Sequence, residues 1–151
     1  MSERGRAMQN QEITYRGSIY PAQCDHMGHM NVMWYVGKFD EATWNFFTGL
    51  GITPTYLRKN AKGMAAVDQH ITYSRELTAG DIITIHTRLV ELAGKIIKFR
   101  HEMINGETGE LAATTDLIAV HMDTETRKST PFPDHIIINA TVRLKEQGMD
   151  D

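Results

Sequence analysis

The sequence predicts an α+β domain in which one long apolar helix is covered by a mainly antiparallel sheet. Three observations predict it. After a single strand-like segment, apolar residues between Val32 and Leu50 recur at alternating spacings of four and three, the mark of one helix face. From Met64 to about Asp123 the period changes to two, with Gly and Asn at the junctions between runs. No internal repeat, low-complexity tract or linker interrupts the 151 residues, so one domain is expected over 1–151, with its core at about 12–146.

Taking the elements in order, Glu12 to Tyr20 carries enough β-branched and aromatic residues for a strand, which Pro21 stops. The loop AQCDHMGHMN follows. In the helix, Val32, Val36, Phe39, Thr43, Phe46 and Leu50 share one face, and Lys38, Glu41, Asn45 and Thr48 share another. Asn31 is placed to cap its start, and Gly49, Gly51 and Pro54 supply stop signals, which makes it roughly 18 residues long. Trp34, Tyr35, Trp44 and Phe47 widen the apolar surface, so the helix is expected to pack on more than one side.

The short basic stretch YLRKNAKG leads to four strand-like runs. MAAVDQHITYSREL is the first; DIITIHTRLVEL puts Ile83, Ile85, Thr87 and Leu89 on one side; KIIKFRHEMI does the same with Ile97, Phe99, His101 and Met103; ELAATTDLIAVHM is the last. Ala93 and Gly94 join the second run to the third, and NGETG joins the third to the fourth, which gives an antiparallel meander. After PFP, Asp134 to Gln147 is expected to be a C-terminal helix, against the β-branched pull of Ile136, Ile137 and Ile138. Residues 1–11 and those from Gln147 onward are polar and aperiodic and are expected to fray.

Composition excludes several classes. With 41% hydrophobic residues, 23% charged residues and a net charge of -3, the chain reads as an ordinary soluble domain. No apolar run approaches the roughly 20 residues of a membrane-spanning helix, and the scattered Lys and Arg are outnumbered by acids, so neither membrane nor nucleic acid is an expected partner. The single cysteine, Cys24, forms no internal disulfide, and no charged-then-apolar leader opens the sequence. A cytoplasmic location is expected.

The loop before the helix reads Asp25-His26-Met27-Gly28-His29-Met30-Asn31. Set between a first strand and a long helix, it resembles the D-x-x-G-H-x-N signature of the 4-hydroxybenzoyl-CoA thioesterase-like hotdog family, and the order of elements agrees over roughly residues 12 to 146. The resemblance implies a hotdog fold, a five-stranded antiparallel sheet wrapped around the central helix. It also implies an acyl-CoA substrate, no cofactor beyond the CoA that the substrate carries, and a homodimer or dimer of dimers with sites at the dimer interface.

The residues make chemical sense in those roles. Hydrolysing a thioester needs an attacking oxygen, and Asp25, with an ordinary pKa of about 3.9, is ionised at neutral pH and can attack as nucleophile or orient a water as general base. Gly28 and His29 stand where backbone N–H groups near a helix start can hold the carbonyl oxygen. Each also has a structural reading: Asp25 as a turn residue, Gly28 as a tight turn, Asn31 as a cap. His26 and His29 lack the further clustered ligands of a zinc site, so no metal is expected. Cys24, adjacent to Asp25 in extended chain, should point the other way.

Asn31, Trp34 and Tyr35, with Met30, Met33 and Tyr73, are expected around the acyl group. Asp68 and His70, beside Gln69, lie on the strand that the resemblance carries across the dimer interface, where one of them enters the partner's pocket. Arg58, Lys59, Lys62, Arg88, Lys98 and Arg100 are available to the phosphates of CoA, with none singled out. The phrase HMGHMNVMWYVGKFDEATW is also similar to the thioesterase portion of proteins that accompany carnitine breakdown, which implies betainyl-CoA as substrate, its trimethylammonium group held by Trp34, Tyr35 or Trp44 through cation–π contact. Two other functions stay open: a hotdog enoyl-CoA hydratase or dehydratase, whose D-x-N-P-x-H pattern needs a proline this loop lacks, and a non-catalytic acyl-CoA binding or sensing module.

Overall fold

The alternation along two central strands organises the sheet. In a computed structural model that describes residues 11–149, Ile83, Ile85, Thr87 and Leu89 of one strand and Ile97, Phe99, His101 and Met103 of the next are all buried. Their pairing sets Ile85 opposite Met103 and Leu89 opposite Phe99, so both apolar rows fall on one face. Five strands, β1 (Glu12–Ser18), β2 (Lys62–Tyr73), β3 (Ile82–Ala93), β4 (Ile96–Asn105) and β5 (Leu111–Asp123), make one antiparallel sheet in the order β1-β3-β4-β5-β2. The helices are α1 (Val32–Gly49), α2 (Pro54–Lys59) and α3 (Asp134–Met149). None of them is long and apolar enough to cross a membrane, among the described residues.

The sheet covers α1 through Tyr35, Phe39, Ala42, Phe46 and Phe47. This face is rotated from the one the spacing predicts. Val32 and Val36 are 57% and 39% exposed, whereas Lys38, expected on a polar face, is 3% exposed. The reason lies in β1: Lys38 Nζ donates to the Tyr15 hydroxyl at 3.1 Å and sits 5.3 Å from that ring's centroid, and Asn45 Nδ2 donates to the Thr14 carbonyl at 2.7 Å. Apolar stem and satisfied head let a lysine enter a packed face. Tyr15 reaches there by lying over Gly17, where a Cβ would meet its hydroxyl at 2.6 Å.

Three boundaries differ from expectation. Pro54 ends nothing; it is the first residue of α2, whose N-terminus Thr53 caps by accepting from Tyr56 N at 3.0 Å. The first strand-like run is shorter at its far end, because β2 stops at Tyr73 and Ser74 and Arg75 both turn their N–H groups to the Ala112 carbonyl, at 2.8 and 3.1 Å. Gln147 is not frayed: α3 runs through it, and its buried amide donates to Leu89 O at 2.8 Å and accepts from Leu89 N at 2.9 Å. Residues 1–10 and the last two lie outside the described residues.

Two apolar clusters fill the space between α1 and the sheet, one around Phe46, Phe99 and Ile136, the other around Phe39, Ile85 and Met103. His101 stands between them, stacked 5.7 Å from Phe39 and edge-on 5.3 Å from Phe99. Its ring joins a buried chain: Thr14 Oγ1 to Thr87 Oγ1 at 2.7 Å, Thr87 Oγ1 to His101 Nδ1 at 2.7 Å, His101 Nε2 to Thr43 Oγ1 at 2.8 Å, and Thr43 Oγ1 to Phe39 O at 3.0 Å. The chain accommodates a neutral ring in which Thr87 donates to Nδ1 and Nε2–H donates to Thr43. Burial pushes its pKa down to about 3, in keeping with that state.

Candidate active site

The loop between β1 and α1 is held at both ends. Cys24 pairs with Met30 in an isolated bridge, Asp25 N donates to His29 O at 3.1 Å, and Met30 N donates to Leu77 O at 2.7 Å. Between them the chain reverses at Gly28, whose φ of 88° suits glycine. Its N–H donates to Asp25 O at 3.0 Å and is thus spent on the turn.

Asp25 presents its carboxylate beside the helix start. Met27 N donates to Oδ1 at 2.8 Å and Asn31 Nδ2 to Oδ2 at 2.9 Å. The Asn31 bond, then the Met27 bond, hold this carboxyl below its ordinary pKa, with His26 and His29 adding a smaller pull and desolvation opposing. It is ionised at neutral pH. Asn31 does two jobs at once, because its Oδ1 accepts from Met33 N at 3.0 Å as the cap of α1.

The first N–H groups of a helix have no acceptor within it. Asn31 takes that of Met33 with its side chain and that of Trp34, at 3.0 Å, with its carbonyl. That of Val32, and that of His29 in the loop before the helix, carry no hydrogen bond among the described residues. Val32, His29 and Asp25 line one hollow of about 300 Å³ with Tyr35, Tyr73 and Glu76. Tyr35 and Tyr73 meet edge to face with centroids 5.0 Å apart, and burial, then Tyr73 and Glu76, push the Tyr35 phenol above its ordinary pKa. His29 Nε2 lies 3.5 Å from Glu76 Oε1 across the mouth.

A family model described as the thioesterase-like superfamily matches residues 19–139. The chain belongs to that superfamily. An L-carnitine dehydrogenase/betainyl-CoA thioesterase of Agrobacterium fabrum is 27% identical over 141 residues, covering 85% of this chain; the chain spans only 29% of that relative's length. A betainyl-CoA thioesterase of Pseudomonas aeruginosa is 19% identical over 124 residues, covering 82% of this chain and 78% of the other. A Staphylococcus aureus protein solved in complex with CoA superposes with a TM-score of 0.85 at 22% identity, over 91% of this chain and 87% of that one. The α+β arrangement of sheet and central helix is the hotdog fold that the loop motif implied, C-terminal helix included.

Within this thioesterase-like scaffold, Asp25, His29 and Tyr35 come together around one hollow. Asn31 touches Asp25, whereas Trp34 packs half-buried against the cluster around Phe39. Cys24 packs there too, its Sγ 3.8 Å from Tyr20 O, turned from the carboxylate as alternation requires. Asp68 and His70 are exposed on β2, opposite Ile118 and Asp116, and do not reach the Asp25 hollow of their own chain. Trp44 and Gln69 line a second, larger hollow of about 500 Å³ beside α1, with Met33, Val36 and Asp40. Sequence reasoning missed Val32, Ser74, Arg75 and Glu76 at the site; the last three reach it through the β2–β5 pairing and the bond from Met30 N to Leu77 O.

Proposed function

We propose that the protein hydrolyses a small acyl-CoA to the free acid and CoA, with Asp25 as the group on which the attack depends. The observation that carries this reading is an ionised carboxylate, fixed by two donors, in one hollow with Val32, the first residue of α1. As general base, Asp25 takes a proton from water while the water oxygen adds to the thioester carbon; as nucleophile, it adds directly and water then cleaves the anhydride. In both routes the oxyanion would form near the positive end of α1, with the unpaired N–H groups of Val32 and of His29 in the preceding loop as its donors and Gly28 shaping the turn. Collapse breaks the carbon–sulfur bond; the thiolate takes the proton that Asp25 drew from water in the first route, and the one released when water cleaves the anhydride in the second.

Betainyl-CoA is the substrate we favour. Both named relatives hydrolyse it by their descriptions, and the hollow offers a trimethylammonium group what it needs: the rings of Tyr35 and Tyr73 with the carboxylate of Glu76 near them. Such a role would tie the protein to carnitine metabolism. We further propose a homodimer, or a dimer of dimers, joined through β2, which ends the sheet with Val67, Asp68 and His70 exposed. Across such an interface Asp68 or His70 would face the other copy's substrate. The lone Cys24 suits a cytoplasmic setting.

The test is thiol release from a panel of short, aromatic and betainyl CoA esters by wild type and by Asp25→Asn. Hydrolysis by wild type with a loss of at least about a hundredfold in the variant, or roughly 2.7 kcal/mol of transition-state stabilisation, supports the role of Asp25. Wild type that binds CoA esters yet releases no thiol from any of them would overturn hydrolysis in favour of a binding module or a hydratase.

A further inference from the structure

The hollow at Asp25 has two neighbours of opposite character. Along α1 it gives way, from Met33 onward, to the larger hollow walled by Val36, Trp44, Phe47 and Leu117, whose one charged lining residue is the acidic Asp40. On the other side lies a cleft of about 400 Å³ walled by Gly109, Glu110 and Leu111, and it shares Ser74 and Arg75 with the Asp25 hollow. Among the described residues lining the three hollows, Arg75 is the only Lys or Arg.

A CoA ester brings an uncharged thioester at one end and anionic phosphates at the other. With the thioester at Asp25, the way along α1 offers the phosphate end no cation among the described lining residues, whereas the outer cleft offers Arg75 beside Glu110. We propose that Arg75 anchors a phosphate of the CoA ester in the outer cleft, with the Ser74 hydroxyl beside it, so that the ester runs from Asp25 past the end of β2. This rests on the proposed acyl-CoA reading and adds the ligand's second point of attachment.

The arginine is prepared for that task. Its Nε lies 2.7 Å from Glu110 Oε2 in an exposed ion pair. The two Nη nitrogens have no hydrogen bond or ion pair to another described residue, and they form the fork that grips a phosphate through two parallel donors. The backbone beneath does not drift: Ser74 and Arg75 both donate to Ala112 O, and Leu77 O accepts from Met30 in the loop that carries Asp25. The backbone that carries Arg75 is therefore tied to the loop that carries Asp25. The cations weighed from sequence alone are not at this cleft.

The experiment is calorimetric titration of CoA, 3′-dephospho-CoA and pantetheine into wild type, Arg75→Met and Arg75→Lys. The expected result is that wild type prefers CoA to pantetheine by at least about tenfold, that Arg75→Met loses about tenfold for CoA while pantetheine stays within about twofold, and that Arg75→Lys recovers part of the loss. If dephospho-CoA follows CoA, the diphosphate is the anchored group; if it follows pantetheine, the 3′-phosphate is. Equal losses for CoA and pantetheine, an unchanged CoA affinity in Arg75→Met, or no wild-type preference for CoA over pantetheine overturns the proposal. Failure of the hydrolase reading shows separately, as wild type that binds CoA but releases no thiol from its esters.

Discussion

Replacing His101 by Phe should make the protein less stable at neutral pH and yet less sensitive to acid. The ring is fully buried between Phe39 and Phe99, so a phenyl ring of similar size fits the same slot. It cannot replace the bonds to Thr43 and Thr87. Thr43 keeps Phe39 O and Thr87 keeps Thr14, so the loss at pH 7 should be about 1–3 kcal/mol. Acid acts in the opposite direction. The folded chain resists protonating His101 down to a pKa of about 3, against 6.5 as the ordinary value. The unfolded chain takes up that proton first, so the stability tied to the neutral ring is complete above pH 6.5 and is lost as pH falls toward 3. At about 1.4 kcal/mol per pH unit, wild type at pH 4.5 should have lost on the order of 2–3 kcal/mol that the variant does not lose. The two stabilities should therefore converge near that pH. Urea midpoints followed by fluorescence of Trp34 and Trp44, at one protein concentration from pH 7 to 4.5, measure both. His121, pushed down by burial, and Asp123, held near 2 by the Thr126 N–H and by Lys62, titrate in both proteins and drop out of the difference. Parallel curves with a constant gap would refute the neutral, buried histidine.

Two further changes separate holding the site from holding the fold. Asn31→Asp keeps an acceptor for Met33 N and so keeps the cap, but it sets a carboxylate where an amide donated to Asp25; melting temperature should barely change, kcat/KM should fall at least about tenfold, and the acid limb of its pH profile should move up. An unmoved acid limb would refute the contact. Gln147→Ala removes both bonds to Leu89 and should cost about 1–3 kcal/mol, some 2–10 °C in melting temperature, with kcat unchanged; a melting temperature equal to wild type refutes the bracing role of α3.

Much of the fold is legible because it is periodic. Alternation along β3 and β4 names their buried rows residue by residue, and Asn31 marks the start of α1 with a side chain that does what a cap does. The rotation of α1 is not legible, since hydropathy counts Lys38 as polar and cannot know that Tyr15 hangs a hydroxyl over Gly17 to receive it. Pro54 is ambiguous in the same way: the residue that closes one helix also opens the next once Thr53 stands before it. At the site, Asp25 and His29 are visible because loop and helix are contiguous in sequence. Glu76 and Arg75 are not, because the pairing of β2 with β5 and the bond from Met30 N to Leu77 O, both distant in sequence, bring the end of β2 to the loop. The turn at Gly28 also reassigns a donor: its N–H closes the loop, a detail that a motif of residue types does not contain.

The strand order β1-β3-β4-β5-β2 carries a consequence for how the molecule is made. Of the five strands, the two that come first in sequence end at opposite rims of the sheet, and each must wait: β1 for β3, β2 for β5. Pairings so distant along the chain are slow to close, because the loop entropy is lost before the contacts are gained. Meanwhile α1, already synthesised and apolar over much of its surface, has only β1 beside it, a state in which a growing chain is open to aggregation. The hollow at Asp25 comes into being only when β5, the penultimate element, fixes β2 in place. A nascent chain cut short before β5 would carry the whole loop motif and no site.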